Sequence, residues 1–226
     1  MKISVIVRTK NEGSWIGRCL AAVSRQDYDD LEIIVVDNES TDETLQIVRR
    51  FDCRVLSISP QDFSHGRSIN RGIASAQGGL VAILSGHCVP VNDQWLRRLA
   101  LNFADGAVAG VYGRQEPLPD TSDFDKRDLW TTFGLDRRVQ THDYFFHNAN
   151  SMIRRELWQR APFHEGLAGV EDRDWAKRVL ERGHRIIYEP AACVYHYHGI
   201  HQGRDPKRCE RVVKVIELIH QGKERS

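Results

Sequence analysis

An α/β fold with a mostly parallel central sheet flanked by helices is predicted by three observations. Short apolar runs alternate with amphipathic helical segments through the first half of the chain, those runs are continuous rather than alternating, and three of them end in polar, turn-forming clusters. Continuous apolar runs suit strands buried on both faces, and strand–helix alternation implies right-handed crossovers.

Taken in order, Ile3 to Arg8 is the first strand; Asn11, Glu12, Gly13 and Ser14 form a polar turn before a helix carrying Trp15, Ile16, Cys19, Leu20 and Val23. Leu31 to Val36 is a second strand, ending at Asp37 and Asn38, after which Ser40 and Glu43 have capping-box spacing ahead of a helix with Leu45, Ile47 and Val48. Arg54 to Ile58 is a third strand, and a polar loop after Pro60 leads to a helix beginning near Arg67. Leu80 to Leu84 is the fourth, left through Ser85, Gly86, His87 and Cys88; Pro90 should stop the strand, and Asn92 or Asp93 should cap a helix containing Trp95 and Leu96. Ala107 to Tyr112 is a further strand.

The second half is less regular. Residues 114–126 hold two prolines and several turn formers and read as a mobile loop. Phe145 to Ile153 reads as extended, Glu156 to Arg160 as a short helix stopped at Pro162, and Arg173 to Arg182 as a helix ending at Gly183. Ile186 to Tyr188 and Cys193 to Tyr197 read as two strands separated by Pro190, and a basic amphipathic helix from about Pro206 to His220 follows. Nothing repeats and no linker separates the halves, so one domain over 1–226 is expected, with 1–113 and 114–226 as its two halves.

Composition narrows the function classes. With 32 basic and 31 acidic side chains the net charge of +1 offers no global attraction for nucleic acid or a membrane surface. No run approaches the roughly 18 apolar residues of a spanning helix. Met1 and Lys2 lead straight into a strand, leaving no room for a signal peptide, so the cytosol is the expected compartment. Cys19, Cys53, Cys88, Cys193 and Cys209 are odd in number and lack CxxC pairing, which argues for reduced thiols.

Polar residues at strand ends carry the functional reading. Arg8 to Glu12, Asp37 to Glu39 and Ser85 to His87 end parallel strands and should line one edge of the sheet, where ligands of open α/β folds bind. Neither GxGxxG after the first strand nor GxxxxGK[ST] is present, so a dinucleotide Rossmann site and a P-loop are both unsupported.

The segments VIVRTKNE, VVDNESTDET, FSHGRSINRGI, SGHCVP and VEDRDWAKRVLERG, in that order, resemble the family 2 glycosyltransferases with the GT-A fold, over nearly the whole chain. DFSHGRSIN and the stretch from Phe145 to Val179 are most similar to rhamnosyltransferase-like bacterial enzymes that build surface polysaccharides. The resemblance implies an inverting transfer of a sugar from a nucleoside-diphosphate sugar to an acceptor hydroxyl, on a saccharide or a lipid-linked saccharide. It places Asp37 at the nucleobase, with Thr9 and Glu12 lining the same pocket and Arg67 near the diphosphate. The other readings are a turn before Ser40 for Asp37 and a solvated first-turn residue for Arg67.

The family's metal motif, Asp-x-Asp, is replaced here by Ser85-Gly86-His87. Imidazole suits Mn²⁺ or another transition ion better than Mg²⁺, and His87 could ligate such an ion with His196 or His198, whose i, i+2 spacing puts both on one strand face. In the alternative, His87 donates hydrogen bonds to the diphosphate and no metal is needed. Glu171 and Asp172 alone could be acids favoured by a helix N-terminus, but their place matches the family's base motif. Asp172 is expected to accept the acceptor's proton and Glu171 to orient its neighbours. His147, Asn148 and Asn150 suit sugar hydroxyls, with Trp175 on the turn after the acids; a structural reading makes the amides partners of loop backbone. Trp130, Phe133 and Tyr144 could offer a pyranose an apolar platform or be core.

Two other functions stay open at this level. A sugar nucleotidyltransferase would use a related fold, but its glycine- and lysine/arginine-rich loop after the first strand is absent; a non-catalytic nucleotide-sugar-binding protein is compatible with the missing Asp-x-Asp. The last helix sets Arg208, Arg211 and Lys214 beside Val212, Val215, Ile216 and Ile219, which could rest peripherally on an anionic membrane; packing on the domain is the preferred reading.

Overall fold

The computed structural model describes residues 1–167, 169–199 and 206–220, the side chains of 206–209, 211 and 220 lying outside that description. Among the described residues nine strands form one mixed sheet: β1 (Ile3–Thr9), β2 (Leu31–Asp37), β3 (Arg54–Ser57), β4 (Leu80–Ser85), β5 (Cys88–Pro90), β6 (Val108–Pro117), β7 (Arg138–Gln140), β8 (Asn150–Arg154) and β9 (Arg185–His196). Their order is β3-β2-β1-β4-β8-β6-β9-β5, with β7 pairing β9. The first four strands are mutually parallel, β8 is antiparallel to both β4 and β6, and β9 is parallel to β6. Among the described residues eight α-helices accompany them: α1 (Gly13–Ser24), α2 (Thr44–Val48), α3 (His65–Ala74), α4 (Trp95–Leu101), α5 (Asp123–Thr132), α6 (Arg155–Arg160), α7 (Glu171–Leu180) and α8 (Pro206–His220).

The continuous apolar runs are explained by two cores. Val5, Val7, Val35, Ala82 and Leu84 point to one side, where Ile16, Cys19, Leu20 and Val23 of α1 and Trp95, Leu96 and Leu99 of α4 cover them. Their sequence neighbours Ile6, Ile34, Val36, Val81 and Ile83 point the other way, against Ile69 and Ile73 of α3 and Trp175, Ala176 and Val179 of α7. Each strand thus alternates between two dry faces, which the period of two in a pleated strand requires.

Where the structure departs from the sequence-based expectations, local pairing gives the reason. Residues 114–126 are not one loop: β6 continues to Pro117 because it pairs with β9 up to Pro117 and His196, and α5 starts where Ser122 Oγ accepts the Asp125 amide at 3.3 Å. Pro190 does not divide β9. It falls where the register with β6 slips, between Gly113 opposite Glu189 and Gln115 opposite Val194, so its missing N–H breaks no regular ladder bond. Of the expected 145–153 strand only the part from Asn150 on pairs, and it runs one residue further, to Arg154. Ser40 and Glu43 form no capping box: Ser40 Oγ donates to Asp37, and Asp42 Oδ1 accepts the Thr44 amide at 3.0 Å. Pro90 ends a separate short strand, β5, paired with β9, and β7, which the sequence pattern does not predict, also pairs with β9.

Neither Asn92 nor Asp93 caps α4: its N-cap is Gln94, without a side-chain capping bond, and Asn92 Oδ1 accepts the Gln94 amide at 3.0 Å in the turn before it. α7 ends at Leu180, and the turn after it passes through Gly183, whose φ of +82° suits a residue without Cβ. Cys19, Cys53, Cys88 and Cys193 are free, while Cys209 lies outside the described side chains. The apolar side of α8 is covered: Val215 and Ile219 are buried with Val170, and Val212 and Ile216 pack beside them. The face that would have rested on a membrane therefore meets the protein; Arg208 and Arg211 lie outside the described side chains, and Lys214 pairs with Glu210 at 2.7 Å. Among the described residues, no helix is long and apolar enough to cross a membrane.

Asn150 ties these layers together. Its fully buried side chain accepts from Trp95 Nε1 at 2.8 Å and donates to the carbonyls of Arg114 at 3.0 Å and Ala192 at 2.9 Å, linking β8 to α4, β6 and β9. Asn150→Ala leaves one donor and two carbonyls unmet, and should lower the unfolding free energy in urea titration by about 2 to 4 kcal/mol. A loss below about 1 kcal/mol would show that these bonds do not hold the sheet together.

Candidate active site

A cleft of about 170 Å³ opens at the carboxyl edge of β1 and β4. Strand ends and helix starts contribute its walls: Arg8, Thr9, Lys10 and Glu12 from the β1–α1 junction, Ser85 and His87 after β4, His147 to Ala149 before β8, Glu171 and Asp172 at the start of α7, and His196 and His198 at the end of β9. Phe63, His65, Ser68 and Gly169 complete the lining.

The β1–α1 junction is latched to the turn after β2. Asn11, at φ 52°, is held in the left-handed region that asparagine tolerates: its amide donates to Ser40 Oγ at 2.8 Å and its Oδ1 accepts from the Thr41 amide at 2.8 Å. Glu12 N donates to Thr44 Oγ1 at 2.8 Å and Gly13 N to Asp42 Oδ2 at 3.0 Å. Asp37 is spent on the same turn, accepting from Ser40 Oγ at 2.6 Å and from the Ser40 amide at 3.0 Å. It is buried and does not line the cleft, which is the turn role left open by its sequence.

His87 is bracketed. Its Nδ1 lies 2.5 Å from Glu12 Oε1, and its Nε2 lies 3.0 Å from His196 Nε2, the two rings being nearly parallel at 9°. His198 stands against both, with ring centroids 4.6 Å from each. One ligand nitrogen from each of the three imidazoles can be chosen so that all lie within 4.8 Å of one another. His196 is held well below the usual histidine range, first by burial and then by its three histidine neighbours His87, His198 and His147, and its Nδ1 is buried without a hydrogen-bond partner. Neutral imidazoles with converging nitrogens fit a transition cation such as Mn²⁺ better than Mg²⁺, which prefers carboxylate oxygen. Gly86 does not line the cleft but makes the arrangement possible: a Cβ there would collide with Glu12 Oε2.

The acidic pair faces this cluster across the cleft. Burial, and then the Asp172 charge, push Glu171 up to about 7; Asp172 is also raised, chiefly by burial. Asp172 Oδ2 accepts the Asn148 amide at 3.2 Å and its Oδ1 the Arg173 amide at 2.8 Å, whereas Glu171 Oε2 is buried with no partner. Arg8 attracts both carboxylates, and its own Nε is buried without a partner. Arg8 and Lys10 belong to the strand-end cluster that signalled the site, although the sequence pattern assigned neither a role of its own; His65 carried no such signal.

Two residues expected at the acceptor belong to the frame instead. Trp175 is fully buried, packed between Phe146 and Phe163 in the core under α7; its spacing from the acids put it on the inner face of the helix. Asn150 is consumed by the three bonds described above. His147 and Asn148 do line the cleft, His147 Nδ1 accepting from Gln115 Nε2 at 2.9 Å and Asn148 Oδ1 from Ser151 Oγ at 3.0 Å. Arg67 is outside the lining, paired with Glu165 at 2.8 Å and Asp62 at 3.4 Å. Phe133 is core, Tyr144 packs partly buried, and Trp130 is half-exposed with Nε1 donating to Glu116 at 3.1 Å.

Known proteins share this architecture. The model of a family described as Glycosyl transferase family 2 matches residues 4–160. The chain is 28% identical over 209 residues to the O-antigen chain rhamnosyltransferase WbaN of Salmonella anatum, covering 87% of this chain and 66% of that protein. It is 34% identical over 197 residues to the GalNAc(5)-diNAcBac-PP-undecaprenol beta-1,3-glucosyltransferase of Campylobacter jejuni, covering 82% and 62%. The chain therefore spans about two thirds of the length of these relatives. Among solved structures, the mannosyltransferase PcManGT from Pyrobaculum calidifontis, in complex with GDP-Man and Mn²⁺, superposes with a TM-score of 0.73 at 23% identity over 96% of this chain and 64% of that one. TarS of S. aureus in complex with UDP-GlcNAc gives 0.68 at 20% identity, over 96% and 67%. With the GT-A fold in common and a family match spanning the parallel strands, the cleft's first wall and β8, the chain belongs to glycosyl transferase family 2.

Proposed function

We propose that the cleft transfers a sugar, with inversion, from a nucleoside-diphosphate sugar to a hydroxyl of a saccharide or lipid-linked saccharide in the making of a bacterial polysaccharide or glycoconjugate. The observation that carries this reading is the meeting, in one cleft, of a buried carboxylate pair with a cationic and imidazole wall. A leaving diphosphate needs the second and an attacking hydroxyl needs the first. The names of the Salmonella and Campylobacter relatives support a surface-glycan product and a polyprenyl-linked acceptor.

In this reading the donor lies along the edge from 1–113 and the acceptor enters from 114–226. The acceptor oxygen attacks the anomeric carbon as the pair Glu171 and Asp172 takes its proton, Asp172 serving as the base and Glu171 orienting its neighbours. The bond from that carbon to the diphosphate oxygen breaks, and the electron pair departs on the diphosphate. Arg8 and Lys10, both in the lining, would meet that charge. A divalent cation held by His87, His196 and His198 would supply Lewis-acid stabilisation of the leaving diphosphate. Asn148 anchors Asp172 through its amide and, with His147, offers polar groups to sugar hydroxyls.

The test of the reading is release of nucleoside diphosphate from a panel of nucleoside-diphosphate sugars, with saccharide and polyprenyl-linked acceptors, in Mn²⁺ and in Mg²⁺. Release with at least one donor, faster in Mn²⁺, is expected. Silence with every donor and metal would leave a binding protein, and pyrophosphate formed from a nucleoside triphosphate would make it a nucleotidyltransferase.

Asp172→Asn should lower turnover about 10²- to 10⁴-fold while nucleotide affinity in titration calorimetry stays near that of the parent, since an amide cannot accept the proton. Near-normal turnover would remove Asp172 from the role. The raised Glu171 carries a pH signature. Its folded-state value near 7 lies above the ordinary 4.5 of an unfolded chain, so it adds stability below about pH 4.5 that is lost as pH rises through about 7. Glu171→Gln should accordingly be more stable than the parent at pH 8 in chemical denaturation and match it near pH 4. An equal difference at both pH values would show that the carboxylate is not raised.

A further inference from the structure

Glu12 carries a second task, distinct from lining a nucleobase pocket. We propose that it is the positioning carboxylate of the imidazole cluster, fixing His87 in the tautomer whose Nε2 offers a lone pair toward His196 and so building cation affinity into the cleft. This rests on the reading of His87, His196 and His198 as cation ligands.

A carboxylate accepts hydrogen bonds and donates none, so the 2.5 Å contact from Glu12 Oε1 places the His87 proton on Nδ1 and leaves Nε2 bare. That bare nitrogen is 3.0 Å from His196 Nε2. Two lone pairs at this separation repel unless a proton or a cation lies between them. A proton on His196 Nε2 would leave its buried Nδ1 as an unmet acceptor, and a proton on Nδ1 would leave an unmet donor. A carboxylate behind a ligating histidine is the arrangement that orients metal-bound imidazoles and raises their basicity.

Glu12 is built for this position. Thr9 Oγ1 donates to Oε2 at 3.1 Å, and the Glu12 backbone is fixed by Thr44. Although Glu12 stands at the N-cap of α1, its side chain makes no capping bond. The space it occupies exists because residue 86 has no side chain: a Cβ on Gly86 would also press on Thr9 Oγ1 at 3.0 Å. The Ser85-Gly86-His87 sequence thus supplies a ligand and, one residue earlier, the room for the group that orients it.

The test uses Co²⁺ alone as probe, read by its visible d–d bands and by calorimetry, on the parent, Glu12→Ala, Glu12→Gln and His87→Ala, with circular dichroism and thermal melts confirming that each is folded. Glu12→Ala should weaken Co²⁺ binding roughly 10- to 100-fold, and His87→Ala should abolish the bands. Glu12→Gln should stay within about fivefold of the parent, because its amide oxygen still accepts from Nδ1–H and its NH₂ can donate to Thr9. Parental affinity in a folded Glu12→Ala would overturn the role of Glu12 and leave the cation reading standing. Equal losses in Ala and Gln would overturn the tautomer assignment, and a parent that binds no Co²⁺ would overturn the cation reading and this inference with it.

Discussion

The 2.5 Å contact between Glu12 and His87 joins the ends of two neighbouring parallel strands, and the cleft is arranged around it. For the carboxylate to stand there, the chain after β1 must turn sharply, and Asn11 does so at positive φ under the hold of Ser40 and Thr41. For those two residues to be in place, Asp37 must fasten Ser40. A chain of short polar bonds therefore runs from the end of β2 to the imidazole after β4. Asp37 thereby acts on the site through the loop that places Glu12, although it does not line the cleft.

The opposite wall obeys a different constraint. Glu171 and Asp172 begin a helix, where partial positive charge favours acids, yet burial and mutual repulsion oppose their ionisation. Arg8, reaching from β1, offsets part of that repulsion. The two walls are thus electrically linked across the cleft: the end of β1 and the turn after it supply, four residues apart, the guanidinium that attracts the acids and the carboxylate that faces His87. A carboxylate poised near neutrality beside a cationic surface is the combination that proton transfer to a base and departure of an anion both require.

Rigidity comes from the frame rather than from the site. Both faces of the parallel strands are dry, and Asn150 stitches β8, β6, β9 and α4 with three bonds to buried partners. Because β9 runs unbroken past Pro190, its last residues reach back to the first strands and deliver His196 to His87. The pairing of β5 with β9, Cys88 opposite His196, sets the register of that encounter.

The alternation of apolar runs and helical segments, with polar clusters at the strand ends, was enough to determine the α/β class, the first four strands, and the concentration of Thr9, Glu12, Ser85 and His87 at one edge; Glu171 and Asp172 joined them only through the resemblance to the family's base motif. The former are local properties: a strand buried on both faces has to be apolar throughout, and its functional residues have to lie just beyond its end. Two sequence readings failed for a common reason. Trp175 and Asn150 carry chemistry suited to sugars, but whether such a side chain meets solvent or core depends on what packs against it, and Phe146, Phe163 and Trp95 come from distant segments. Likewise 114–126 and Pro190 look like breaks until β6 and β9 pair with each other. Only the tertiary structure brought His196 within 3.0 Å of His87, 109 residues away, and turned Glu12 toward the imidazole, because such contacts are fixed by strand order and register, which no local pattern of residues encodes.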